Sequence, residues 1–190
     1  MNRLLLLLLV PVCFLHAEPT DPAPDFPEHH DGDEKNLLTN GSFDRGLEHW
    51  ELIAFAHHGK MAIDTEVLHE GRPTLRIENG EADQSFVRQI LRGKPMHARY
   101  RFTGYIKTQD VETEKPGGGA VLMVGITLEH TAPILKTTPW TKVTFDFTPS
   151  PKTPNEIRVG PSLGTYARAV TGTAWFADLS VVELHGGASR

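Results

Sequence analysis

Tyr100-Arg101-Phe102-Thr103-Gly104-Tyr105-Ile106-Lys107 is the stretch on which the fold reading turns. Together with the two residues before it, Ala98, Tyr100 and Phe102 alternate with Arg99, Arg101 and Thr103, and the pattern continues to Ile106-Lys107. Period-two alternation marks a strand with one buried and one wet face, because successive side chains point to opposite sides. Residues 141–148 repeat it, with Val143, Phe145 and Phe147 inward and Lys142, Thr144 and Asp146 outward. Residues 120–126 are apolar on both faces, which predicts a central strand covered on each side. Shorter strand candidates lie at 50–56, 61–64, 74–78, 85–90, 156–159 and 173–184. Turn residues separate them at Gly71-Arg72-Pro73, Arg92-Gly93-Lys94-Pro95, Pro116-Gly117-Gly118-Gly119 and Thr148-Pro149-Ser150-Pro151. About nine short strands without helical periodicity predict an all-β fold, an antiparallel β-sandwich closed over one core.

Upstream of this region the character of the chain changes twice. Met1-Asn2-Arg3 supplies a positive charge, residues 4–15 are apolar apart from the break at Pro11, and Ala17 is small. Twelve apolar residues are too few to span a bilayer as a helix, which needs about 20. Residues 1–17 therefore read as a secretory signal peptide and predict a secreted product, extracellular or periplasmic. A lipid anchor on Cys13 would want a small residue before the cysteine, and Val12 stands there. Residues 18–35 hold four prolines and seven acidic residues and read as an acidic, Pro-rich linker or tail that cannot offset its ordering entropy by burial. The folded domain is expected over 36–185, with a short tail at 186–190.

Composition excludes several functions. The formal net charge is −5, against the basic stripe of a nucleic-acid binder. Cys13 is the only cysteine, so a disulfide framework, a cysteine-ligated zinc and a thiol nucleophile are ruled out of the folded part. There is no G-x-S-x-G, no H-E-x-x-H, and no glycine-rich loop followed by Lys-Ser or Lys-Thr. Gly117-Gly118-Gly119 precedes a strand and reads as a flexible hairpin connection, and Asn40-Gly41-Ser42 as a tight turn at a first strand. No catalytic constellation emerges, and no enzyme is expected.

Four segments carry a family resemblance. Asn36-Leu37-Leu38-Thr39-Asn40-Gly41-Ser42-Phe43-Asp44, with Gly46 and Trp50 after it, resembles the opening strand of the CenC-type carbohydrate-binding modules. The stretch from Tyr100 to Thr108 resembles their central strand, Trp140 to Thr148 another, and Gly172 to Val181 the closing one. The resemblance implies a galactose-binding-domain-like jelly roll that attaches to a polysaccharide or other glycan without catalysis. The alternative is a structural or protein-interaction β-sandwich of an extracellular or envelope assembly.

Glycan sites stack aromatic rings on sugar faces and place polar groups around them. Trp50, Trp140 and Trp175 all fall in the scaffold segments and are expected in the core or at a sheet edge. The aromatics left over are Phe55, Phe86 and Tyr166. Phe55 with His57 and His58, and Tyr166 with Arg168, stand in loop regions and form the expected carbohydrate-binding surface. The resemblance also implies a structural calcium held by Asp44 and by Glu70 or its loop. Its closing-strand aspartate is here Ala177, and Asp178, one residue on, should point to the other face.

Overall fold

The computed structural model describes residues 35–125, 128–150 and 155–184. The expected leader with Cys13, most of the linker and the tail at 186–190 lie outside the described residues. Among the described residues nine strands are formed: β1 (Glu51–Ala54), β2 (Gly59–His69), β3 (Arg72–Asp83), β4 (Ser85–Arg92), β5 (Arg99–Thr113), β6 (Ala120–Val124), β7 (Lys136–Phe147), β8 (Glu156–Leu163) and β9 (Val170–Leu184). They make a four-stranded sheet in the order β1-β4-β8-β6 and a five-stranded sheet in the order β2-β3-β9-β5-β7, antiparallel throughout. The all-β sandwich expected from the alternation is what the chain adopts.

The core fills the space between the sheets. Tyr100, Phe102 and Ile106 of β5, Leu75 and Ile77 of β3, and Phe176 of β9 belong to the same buried cluster as Val87 and Leu91 of β4, Leu122 of β6 and Val159 and Leu163 of β8. Burying one such side chain is worth about 1.5–3 kcal/mol. β2 and β3 are joined by the two-residue turn Glu70-Gly71, both left-handed (φ 48° and 77°) and flanked by the His69–Arg72 pair. Two positive φ values match the right-handed twist of a hairpin, and glycine supplies the second without strain.

Two expectations need correction. Residues 120–126 were expected to make a central strand, but β6 stands at the edge of its sheet. All five of its residues are nevertheless buried. The segment after it folds back onto its open side, where Ala120 pairs with Ile134 and Met123 with His130. Apolarity on both faces reports burial, and this return segment supplies it without being a strand of the sheet. Residues 36–44, expected as an opening strand, form turns instead. They dock along β9: Leu37 donates to the Val181 carbonyl (2.8 Å), Leu179 to Gly41 (3.0 Å), and the Asn36 side chain bonds both Leu179 and Val181 (3.0 Å each). Leu38 and Phe43 enter the core from this segment.

Candidate functional site

Four connections meet at one end of the sandwich: β1–β2, β3–β4, β5–β6 and β8–β9. Their residues line a groove of about 830 Å³, among them Phe55, Asp83, Gln84, Glu114, Lys115, Tyr166 and Arg168. Phe55 and Tyr166 are each 61% exposed, unusual for rings of this size in a fold with a well-filled core.

Buried polar residues fix the groove's loops. Asp83, at the end of β3, accepts four backbone N–H groups: Ala56 (2.8 Å) and Gln84 (2.7 Å) on Oδ1, His58 (2.9 Å) and Gly59 (3.0 Å) on Oδ2. Burial alone would raise this carboxyl. The four donors outweigh that effect and hold it below the usual carboxylate range. The β1–β2 loop carrying Phe55 is thereby tied to β3, and the Phe55 N–H donates to Gln84 (3.1 Å). Buried Asn79 does the same for the other side, donating to Asp83, Leu163 and Val170 carbonyls while accepting from the Ser85 hydroxyl (2.6 Å). This fixes the ends of β8 and β9, between which Tyr166 and Ala167 form a turn closed by reciprocal Thr165–Arg168 bonds (3.1 and 2.8 Å).

The structure thus brings Phe55, Tyr166 and Arg168, expected from sequence, to one groove. His57 and His58 lie in the adjoining loop and do not line it; His58 Nε2 faces Glu81 at 3.8 Å. Asp83 and Asn79, which hold the groove together, were missed. A run of polar residues where β3 passes into β4 is the signal they leave in the sequence.

A second aromatic cluster stands on the outer face of the five-stranded sheet. Trp50 is a core residue, tilted on Phe43 at 5.4 Å and bonded through Nε1 to Asn40 (3.0 Å). Trp140, by contrast, is a half-buried sheet-edge residue on β7, with its indole N–H on the Leu68 carbonyl (3.2 Å). His69, only 7% exposed, packs between Tyr105 (4.2 Å) and Trp140 (4.9 Å). Trp175 bonds Asp64 (2.8 Å) and lies under Lys107, whose ammonium is 5.7 Å from the ring centroid. Tyr105 has the opposite parity to Tyr100, Phe102 and Ile106, so a large ring on the wet side of the alternation was the available clue.

The two residues expected to hold calcium have different surroundings. Asp44 accepts from the neighbouring Ser42 hydroxyl (2.6 Å), whereas Glu70 groups with His69 and Asp178, one ligand atom of each within 4.8 Å of the others. Asp178 is left-handed (φ 49°), and at this bulge the alternation of β9 breaks, contrary to the simple parity argument. Its carboxylate bonds His69 Nδ1 (2.7 Å) and the Arg72 guanidinium. One imidazole and an arginine on the shared carboxylate do not fit calcium, which takes six to eight oxygen ligands.

No protein-family model and no curated protein matches the sequence. Solved structures do. A CBM61 carbohydrate-binding module in complex with β-1,4-galactotriose superposes with a TM-score of 0.53 at 14% identity, covering 79% of this chain and 99% of that one. The CBM22-1 xylan-binding domain of Paenibacillus barcinonensis Xyn10C gives 0.55 at 11% identity, covering 81% and 97%. The fold is one that carbohydrate-binding modules use. The enzymatically active domain of bacteriophage CBA120 tailspike protein 4 also matches, at 0.55 and 9% identity, but this chain spans only 21% of its length. Among the described residues no helix is long and apolar enough to cross a membrane.

Proposed function

We propose that the protein is a secreted, non-catalytic module that binds a polysaccharide or other glycan through the loop-end groove. The observation that carries this reading is the pairing of two widely exposed rings, Phe55 and Tyr166, on one groove whose loops are fixed from below. Rings held in place lose little entropy when a sugar face settles on them. Two of the groove's carboxylates are already committed, Asp83 to four N–H groups and Glu112 to the Lys136 ammonium (2.7 Å to each oxygen), which favours binding over acid–base chemistry. Likeness to glycan-binding structures supports the ligand class, and the leader-like residues 1–17 support export.

A glycan array with the protein tests the reading. Phe55→Ala and Tyr166→Ala should each weaken binding and leave the melting temperature nearly unchanged. Affinities should fall between micromolar and millimolar, about −8 to −4 kcal/mol, as expected of a shallow site with few stacking contacts. Half-exposed Trp140, with His69 packed between it and Tyr105, favours a second reading, in which the outer sheet face binds the glycan. Trp140→Ala would then abolish binding while the groove variants do not. A blank array, together with a protein partner sensitive to Phe55→Ala, would favour an interaction domain.

A further inference from the structure

The groove's charges show which sugars it would take, an inference that rests on the glycan-binding reading. Asp83 is satisfied by four backbone donors and Glu112 by Lys136. Of the remaining charged groups lining the groove, Lys115, Arg168 and Glu114 have no ionic partner among the described residues. The uncompensated balance is two cations against one carboxylate, on a chain whose formal net charge is −5.

Arg168 is held in an unusual way. Its Nε donates to the Pro116 carbonyl (2.6 Å) and its Nη1 to the Tyr166 carbonyl (3.2 Å). Neutral acceptors fix the guanidinium without cancelling its charge, and of its five N–H donors three remain unused. The side chain lies over Gly117, where a Cβ would come within 3.0 Å of Nε, and Gly117 is left-handed (φ 88°). Within the glycine run expected to be a flexible connection, Gly117 makes room for this arginine. A cation already ordered, unpaired and beside an exposed ring is prepared for an anion carried on a sugar.

We propose that the groove binds acidic saccharides, with the carboxylate of a uronic acid unit on Arg168 and Lys115 and the pyranose face on Tyr166 or Phe55. The planar guanidinium suits a planar carboxylate, which it can meet with two parallel N–H bonds.

The test is titration of the protein with polygalacturonate, alginate and hyaluronan, each beside its carboxyl-reduced neutral form, with dextran sulfate as a sulfate control. At least one acidic polymer should bind about tenfold or more tightly than its reduced form, a preference that weakens as salt rises from about 20 to about 300 mM. Arg168→Gln should erase the preference, and Glu114→Gln should enlarge it. Equal binding of acidic and reduced polymers, an unchanged preference in Arg168→Gln, or dextran sulfate binding as tightly as the best polyuronate would overturn the inference while glycan binding itself stood. If no polymer on the array or in this set binds, acidic or neutral, the inference fails together with the reading beneath it.

Discussion

At Asp83, desolvation and hydrogen bonding pull the carboxyl in opposite directions, and four backbone donors decide the outcome. Because the folded value is depressed, the unfolded chain binds the proton more tightly. The stability this group contributes is therefore complete above the unfolded value of about 4 and is lost as pH falls through the lower folded one. Asp64, held down against its own burial by the Val67 and Glu66 N–H groups, the Trp175 indole and Arg76, carries the same sign. Asp83→Asn keeps the shape but removes the charge and turns an NH2 toward two of the four donors, which should cost about 2–3 kcal/mol. Urea unfolding at neutral pH measures that loss. Repeating it near pH 3 should show a smaller difference between variant and parent, since the parent has by then lost part of the advantage. An unchanged difference would mean that Asp83 acts through packing alone. The variant should also loosen the β1–β2 loop, so that Phe55 loses part of its fixed orientation.

Among the elements, the segment 36–44 shows how a strand-like sequence can serve as a strap. Gly41 lies so close to β9 that a Cβ would fall 2.1 Å from the Leu179 carbonyl oxygen, a backbone atom that cannot swing aside. Gly41→Ala should lift the strap and cost about 2–3 kcal/mol. Gly80→Ala, in a strand but with nothing within 4 Å of the added Cβ, should stay within about 0.5 kcal/mol of the parent. Equal effects in thermal melts would show that Gly41 is not a contact point. The alternation at 98–107 and 141–148 was legible because each strand has one wet face. The strap was not, because its apolar residues anchor turns and its backbone bonds reach β9 without a regular ladder. Likewise β6 could not be placed in its sheet, since burial on both faces is the same whether a strand or a returning loop supplies it. Subtracting the scaffold aromatics leaves Phe55, Phe86 and Tyr166, of which Phe55 and Tyr166 line the groove. Asn79 and Asp83 leave only a run of polar residues between β3 and β4, which does not tell that their role is to bind backbone N–H and C=O groups.

Across the molecule, both sheets contribute to one buried cluster and the only cysteine is Cys13, so no disulfide within the chain adds to that core. Loss of either sheet exposes the other's apolar face, and the sandwich should unfold in a single transition, with far-ultraviolet circular dichroism and tryptophan fluorescence giving the same midpoint. A ligand that binds only the folded state then acts on the whole transition, although it touches only loops at one end. At about a hundred times its dissociation constant it should add about 2.7 kcal/mol. For a domain of this size that is a rise in melting temperature of about 5–10 °C. Millimolar affinity would put the required concentration beyond solubility for many polymers, so short oligosaccharides are the better probe. Phe55→Ala should leave the ligand-free midpoint in place and remove most of the ligand-induced rise, because the exposed ring contributes to the groove and not to the core. A variant whose ligand-free midpoint falls by more than the ligand-induced rise would instead make Phe55 a structural residue, and the groove would lose one of the two rings on which its reading depends.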